Sequence, residues 1–363
     1  MTQPACNGLT SILPMLNQGK KLTGTILTFG ELLLRICPDI TGSWLTTNSL
    51  PVFVGGSELN VATALAVWGL PSRYLTALPR NPMAGQIIAS LEALKIDVSS
   101  TFYHGSRIGL YYLTTGQDLK HDSLIYDRAH SAFSELNTGM IDWDSVFEGV
   151  ELFHFSAICP AISQQAADIC LEALLVASER NIMISIDLNY RSKLWQYGKT
   201  PEQVMPELVS YCDIIMGNLW AMDTMLGIPV DPAIHSHSSK ENYLYEARQS
   251  AALVMTRFPL CRFVANTFRM DHSGGLNYYG SLSTADYQYV SAEYHLPNEI
   301  NRVGSGDCFM AGLLYGLYRE MSAQETLDFA TAAAVAKFTV AGDAIDLSAG
   351  EVRRRIKPGL PSL

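Results

Sequence analysis

The chain has 363 residues, 35 of them Asp or Glu and 25 Lys or Arg, giving a formal charge of −10 with histidine neutral. That length admits one large α/β domain or two ordinary ones, and 48% apolar with 17% charged content excludes an extended disordered chain. The acidic balance, with no cluster of Lys and Arg, argues against a nucleic-acid partner.

Residues 1–24 read as a leader. They are mildly apolar, Pro14 interrupts them, and Lys20-Lys21 follow the apolar part, the reverse of a secretory signal's charge order. Thr25 to Phe29 is an apolar strand ending at Gly30-Glu31. Leu45 to Val54 is rich in Thr and apolar residues without helical spacing and reads as inserted antiparallel strand. Leu59 to Trp68 is an Ala-rich helix closed by Gly69 and Pro71. A strand over Arg73 to Leu78 and a helix over Ala84 to Leu94 follow. Thr101 to Tyr126 is a second inserted strand region. Strands at Glu151 to Ser156, Met183 to Asp187, Ile214 to Met216 and Arg262 to Asn266 alternate with a helix at Ala166 to Glu179. The last helices fall at Cys308 to Met321 and Ala332 to Thr339. Short apolar strands alternating with longer helical stretches predict a doubly wound α/β core, with the two irregular regions forming a small lid.

Seven cysteines (Cys6, Cys37, Cys159, Cys170, Cys212, Cys261, Cys308) show no C-x-x-C pair and predict reduced thiols in a cytoplasmic setting. His235 and His237 lie in a polar stretch and read as solvated loop rather than metal site. No run of about 18 apolar residues occurs, so no membrane partner is expected.

The run Asn301 to Gly312 carries the most chemistry. Gly304, Ser305 and Gly306 let backbone amides approach an anion at the start of a helix. Asp307 would repel a phosphate held there unless it acts as a base, taking a proton from an attacking hydroxyl while the amides hold the transferring phosphoryl group. The same residues also fit a glycine turn capped by Asp. Neither the Walker phosphate loop nor the Rossmann fingerprint is present, since no G-x-x-x-x-G-K-[ST] occurs and Phe309 stands where a third glycine belongs.

Gly304-Ser305-Gly306-Asp307 with its small-residue helix resembles the C-terminal signature of the ribokinase-like (PfkB) carbohydrate kinases. Gly55-Gly56-Ser57-Glu58-Leu59-Asn60-Val61-Ala62, closed by Gly69, resembles the N-terminal one. Within that family, Arg107 to Tyr112, Tyr126-Asp127-Arg128 and Asp187 to Trp195 resemble the lid strand, the Tyr-x-Arg strand and the Asp-x-Asn-x-Arg-x-x-Leu-Trp segment of 2-keto-3-deoxygluconate kinases. The chain departs from the family at Asn301-Arg302, where Asp-Thr is usual, and at Pro79. It also departs at Asn218-Leu219-Trp220-Ala221, where an Asn-x-x-Glu linked to magnesium loses its acid; Asp223 is the candidate substitute.

The resemblance implies a three-layer α/β/α sandwich over 25–352 with lid strands within about 41–58 and 101–130, and a tail at 353–363. It also implies ATP-dependent phosphorylation of 2-keto-3-deoxygluconate to its 6-phosphate. Asp307 would be the base, Gly304, Ser305 and Gly306 the anion hole, and Arg191 a charge clamp or, alternatively, an ion-pair partner of Asp187. Gly55, Gly56, Asn60, Tyr111, Tyr126 and Arg128 would hold the sugar acid, a planar carboxylate being well met by an Arg fork and phenol donors. As isolated residues, Tyr126 and Arg128 also fit cross-strand tyrosine packing with a solvated arginine, and Asn60 fits a structural hydrogen bond. Asn189, Arg191, Asn218, Thr267, Gly304 and Gly306 would bind ATP. Asn266-Thr267-Phe268-Arg269 and Gly274-Gly275 would form the turn beside the adenine, and the helix Ala332 to Thr339, ending at Gly342-Asp343, would flank the base. Mg²⁺ would arrive on ATP, its protein ligands unassigned. A kinase for fructose, ribose or a related ketose, a catalytically weak sugar or nucleotide sensor, and an NAD-linked oxidoreductase are the alternatives. Exposed lid edges imply a homodimer.

Overall fold

The computed structural model describes residues 21–38, 48–114, 124–235, 239–297 and 300–357. Most of the leader, His237, the first part of the Leu45 to Val54 strand, part of the 101–130 lid region and the end of the tail lie outside them.

A ten-stranded sheet forms the centre. From one edge its order is Gln288–Val290, Gly275–Ser283, Phe263–His272, Ile214–Met216, Met183–Asp187, Val150–Ser156, Thr25–Phe29, Ser72–Leu75 and Ile96–Asp97, with Tyr294–Leu296 also paired to Gly275–Ser283. The strands from Ile96 across to Phe263 are all parallel, and the last hairpin runs antiparallel.

Side-chain alternation along these strands feeds two cores. Leu27, Phe29, Phe153, Phe155, Ile184 and Ile186 face the helices Gln164–Glu179, Pro201–Val209, Leu219–Leu226 and Lys240–Arg257. Ile26, Leu152, Met183 and Ile214 face Ser57–Val67, Ser305–Tyr318 and Ala323–Lys337. Phe153 and Phe155, 1% and 0% exposed, each contribute about 2 kcal/mol through burial. Strands that are apolar on both faces, with helices on each side, make the expected three-layer α/β/α sandwich.

A separate four-stranded sheet has the order Val52–Gly55, Leu33–Ile36, Gly109–Tyr112, Ile125–Asp127. Leu33–Ile36 belongs to it although the sequence reading passed over that run, and its pairing with Gly109–Tyr112 is parallel, not antiparallel. Phe102–Tyr103 instead pairs with Ala77–Leu78 in a two-stranded sheet. The strand expected over Arg73 to Leu78 breaks at Thr76, whose Oγ1 leaves the ladder to accept from the Leu32 amide at 3.2 Å. The two last long helices begin earlier than predicted, the second because Ser322 and Glu325 form a capping box. No turn forms at Asn266 to Arg269. The strand runs on to His272, its alternate residues Phe268 and Met270 packing with Tyr279 and Tyr243.

First-strand residues lie between Ser72–Leu75 on one side and Val150–Ser156 on the other, so the chain leaves this strand in both directions across the sheet. In an open α/β sheet the C-terminal edge at such a reversal is where ligands sit. Glu31, Ile158, Asn189 and Asn218, which follow four of the parallel strands, line one cavity there.

Candidate active site

The cavity holds about 600 Å³ between the large sheet and the four-stranded sheet. Two helices aim their N-termini into it. Gly56, at φ +138°, turns the chain into Ser57–Val67, and Gly304, at φ +78°, turns it into Ser305–Tyr318. Both conformations favour glycine. Gly304 is also packed tight, since a Cβ there would stand 1.9 Å from the Asp343 carbonyl oxygen. Gly306 differs: a Cβ would meet only Met216 Cε at 4.0 Å, so its side of the turn stays open.

Asp307 sits where the two helices converge. Ser57 Oγ donates to its Oδ1 at 2.7 Å and Asn60 Nδ2 to its Oδ2 at 2.7 Å. Asn189 Nδ2 donates to Ser57 Oγ at 3.0 Å, and the Asn189 amide donates to Asp187 Oδ1 at 2.9 Å. Burial pushes the Asp307 carboxyl above the ordinary aspartate range, while the hydrogen bonds from Asn60 and Ser57 and the charge of Arg191 pull it back. Burial likewise pushes Asp187 up to about 7, with repulsion from Asp307 adding to it and Arg191 offsetting part. Glu58, buried against Ser156 and Cys159, is also pushed up to about 7 by burial.

Arg191 donates from Nη1 to the Tyr190 carbonyl at 3.2 Å, and its buried Nε has no hydrogen-bond partner among the described residues. It acts on Asp187 and Asp307 through space. Asn60 faces the cavity with its Oδ1 also unpartnered. The amide therefore does more than either sequence reading allowed, holding Asp307 with one atom and offering the other.

At one end, Arg128 donates from Nε to Glu31 Oε2 at 2.6 Å, and its Nη2 lies 2.6 Å from the same oxygen. Only Nη1 of the fork remains without a hydrogen bond among the described residues, so the free bidentate clamp expected from sequence is half engaged. Tyr126, the cross-strand partner of Tyr111, makes ring contacts with Tyr111 and Arg128 and packs against the cluster of Leu33, Leu113, Leu124 and Val303. Tyr111 lines the cavity with its ring, but its hydroxyl donates to Asp343 Oδ2 at 2.7 Å. Arg35 meets Asp343 Oδ1 at 2.6 and 2.8 Å. Gly55 does not line the cavity. A Cβ there would lie 2.3 Å from Asp343 Oδ2, so this glycine is a packing position for the Asp343 cluster rather than a contact surface for a ligand.

At the other end, Asn218 and Thr267 line the cavity beside Trp220, Phe268, Met270 and Tyr243. Asn218 caps its helix, accepting from the Ala221 amide at 2.8 Å. Asp223 lies exposed on that helix, away from the cavity, which removes it as a substitute for the missing acid. Among the described residues no three His, Cys, Asp or Glu side chains gather as a metal cage. Asn301, in the place of the usual Asp, donates to the carbonyls of Val340, Ala341 and Gly342 at 2.8 to 3.0 Å, and Arg302 pairs with Asp271 at 2.6 Å.

Of the residues given a catalytic, anion-binding, sugar-binding or ATP-binding role from the sequence, all but Gly55 (Gly56, Asn60, Tyr111, Tyr126, Arg128, Asn189, Arg191, Asn218, Thr267, Gly304, Ser305, Gly306 and Asp307) line this one cavity, while Asn266, Gly274 and Gly275 of the expected adenine turn do not. Sequence reasoning gave no role to Ser57, Glu31, Glu58 or Arg35, and it expected Asp343 to flank the adenine, whereas Asp343 lies against Gly55, Arg35 and Tyr111 and does not line the cavity. Ser57 and Glu58 lie inside the quoted glycine signature, and a serine opening a helix beside two glycines was the available signal for the first.

Backbone amides at a helix start, next to a carboxylate held by two donors and covered by a small sheet, suit a kinase acting on a small hydroxylated molecule. The chain belongs to the pfkB family of carbohydrate kinases, whose model matches residues 26–257 and 290–349. It is 25% identical over 338 residues to the 2-dehydro-3-deoxygalactonokinase of Haloferax volcanii, covering 93% of this chain and 98% of that protein. The structure of the Thermotoga maritima 2-dehydro-3-deoxygluconokinase superposes with a TM-score of 0.82 at 32% identity, covering 92% of this chain and 99% of the other. Fructokinase from Xylella fastidiosa with bound ATP superposes at 0.72 with 18% identity, over 92% and 98% of the two chains, and shares the fold. The protein is a sugar kinase with the ribokinase-like fold, as the glycine signatures implied. Sugar kinases of this family use ATP. No helix among the described residues is long and apolar enough to cross a membrane.

Proposed function

We propose that the enzyme transfers the γ-phosphoryl group of ATP to the terminal hydroxyl of 2-keto-3-deoxygluconate, giving the 6-phosphate and ADP. The observation that carries this reading is the pairing of Asp307, held by Ser57 and Asn60, with a lid end that presents Tyr126 and the remaining Nη1 of Arg128. Glu31 already meets the charge of that guanidinium, so what favours a sugar acid is the N–H left on Nη1, a charge-assisted donor suited to a carboxylate. Likeness to the Thermotoga and Haloferax enzymes supports the same substrate class.

Asp307 takes the proton of the hydroxyl as its oxygen bonds to the γ-phosphorus and the bridge to the β-phosphate breaks. The amides of Gly304 to Asp307 and the Arg191 guanidinium stabilise the charge on the transferring group. Gly56 and Asn60 approach the sugar hydroxyls, the latter through its unpartnered Oδ1. Asn189, Asn218 and Thr267 border the triphosphate and nucleotide end. Mg²⁺ bound to the triphosphate screens its charge.

The same reading makes residues 25–352 one kinase domain with an inserted lid. The lid's edge strands expose Val52 (53%), Val54 (36%) and Ile125 (53%), which supports pairing with a second copy. Cys159, Cys170, Cys212, Cys261 and Cys308 are free and buried, which suits a reducing cytoplasm.

The test is ATP consumption measured against 2-keto-3-deoxygluconate, its galacto epimer, fructose and ribose. Turnover of the gluco acid at a kcat/KM at least tenfold above the neutral sugars is expected. Equal or better use of fructose or ribose overturns the sugar-acid reading, and better use of the epimer moves it to the Haloferax substrate. Light scattering at micromolar concentration should give the mass of two chains, and a monomer ends the lid-pairing proposal.

A further inference from the structure

Lys337 is the only fully buried lysine among the described residues, 0% exposed. It is the last residue of Ala323–Lys337, and its Nζ donates to the Val340 carbonyl at 3.2 Å. Its stem lies directly behind the anion turn: Cε is 3.3 Å from where a Cβ on Gly304 would stand. The groups whose charge it feels come from three elements. They are Asp343 in the loop after its own helix, Cys308 and Asp307 on Ser305–Tyr318, and Arg35 on the lid strand.

Asp343 is already engaged by Arg35 and Tyr111, and Asp307 by Ser57 and Asn60. The ammonium therefore has a single carbonyl as its direct partner and no carboxylate of its own. A buried cation so placed is costly unless something offsets it. An anion docking on the Gly304–Gly306 turn does so, and in a low-dielectric setting the attraction extends beyond contact.

We propose that Lys337 is a positioning residue for phosphoryl transfer, its buried ammonium supplying fixed positive charge behind the amides of the Gly304–Asp307 turn. This rests on that turn being the phosphoryl site, not on the identity of the sugar. Burial pulls the ammonium down to about 8, so the charge is present at neutral pH and is lost as pH rises through that value.

The experiment compares Lys337→Gln, which keeps a hydrogen-bond donor for Val340, with the unaltered enzyme, using the sugar the unaltered enzyme turns over best. Expected is a fall in kcat of about ten- to a hundredfold with sugar KM within about twofold. The decline in kcat of the unaltered enzyme above about pH 8 should also disappear in the variant. In Lys337→Ala, methylammonium should restore part of the turnover. Lys337→Gln with kcat and its alkaline decline both intact shows a mere tether for Val340 and overturns the proposal. Should neither variant fold, a kcat for the unaltered enzyme that stays level from pH 7 to pH 9.5 overturns it alone. If no sugar is turned over by the unaltered protein, the kinase reading fails separately. ATP affinity by calorimetry without sugar then decides: a loss of about threefold or more in Lys337→Gln supports the fixed charge, and equal affinity overturns it.

Discussion

Gly55 and Gly56 turn the chain into one helix, Gly304 to Gly306 turn it into another, and both helices start beside Asp307. The first turn is filled by protein. Gly55 lies against the Asp343 carboxylate, and a Cβ on Gly56 would stand 2.5 Å from the Glu31 carbonyl. In the second turn only Gly304 is filled in this way, with Asp343 behind it, while Gly306 faces open space. Two motifs that look alike in sequence thus serve different ends: three glycines let the scaffold close on itself, and one leaves room for a ligand. Asp343 joins the two turns, its side chain against Gly55 and its carbonyl against Gly304, with Arg35 and Tyr111 of the four-stranded sheet holding it.

The largest effect should come from the carboxylate both turns serve. Asp307→Asn is expected to lower kcat by about 10³-fold or more while ATP and sugar binding, read by calorimetry, stay within a few-fold; a variant retaining a tenth of the activity removes Asp307 as the base. Next, Gly306→Ala should cost about a hundredfold in kcat with an unchanged melting temperature, because its methyl enters ligand space. Gly304→Ala should instead lower the melting temperature by several degrees or fail to fold, through the clash with Asp343 and its positive φ. Equal melting temperatures for the two alanine variants would erase the distinction between the turns. Smaller still, Ser57→Ala should cost about tenfold in kcat/KM and move its acidic limb to higher pH, because the hydroxyl helps hold the Asp307 carboxyl down. A limb that stays put or moves to lower pH contradicts that hydrogen bond's role.

Much of this arrangement was legible in the chain. Strands such as Thr25–Phe29, Met183–Asp187 and Ile214–Met216 are short apolar runs with clear ends, and the structure keeps those bounds. Gly304-Ser305-Gly306-Asp307 was legible because its residue types are unusual together at a helix start. The partners of Arg128 and Tyr111 were not. Glu31 lies 97 residues from Arg128 and Asp343 lies 232 residues from Tyr111, and an ion pair or hydrogen bond across such separations leaves no local periodicity. Reading Arg128 as a free fork followed from that silence. The cavity's far end is coded by Phe268, Met270 and Tyr243, residue types that any core contains, so its strand could not be told from a turn.

Glu58 tests the first turn by stability instead of rate. It follows Ser57, lies 1% exposed, and accepts from the Ser156 amide at 3.0 Å. Burial raises its carboxyl from 4.5 to about 7. The folded protein therefore keeps a proton there that the unfolded chain gives up between those values, and the associated stability is full below about pH 4.5 and is lost as pH rises to 7. Glu58→Gln is neutral at every pH and retains an acceptor for the Ser156 amide. Asp213, raised to about 6, bends the curve in the same direction in both proteins, whereas Asp187, raised to about 7 in part by the charge of Glu58, relaxes in the variant and adds to the difference. Denaturant unfolding from pH 5 to 7 should show the unaltered protein losing about 1–3 kcal/mol more than the variant. Parallel curves would mean that Glu58 is ionised in the fold, leaving a second carboxylate charge beside Asp307 and making the first turn as much an electrostatic element as the second.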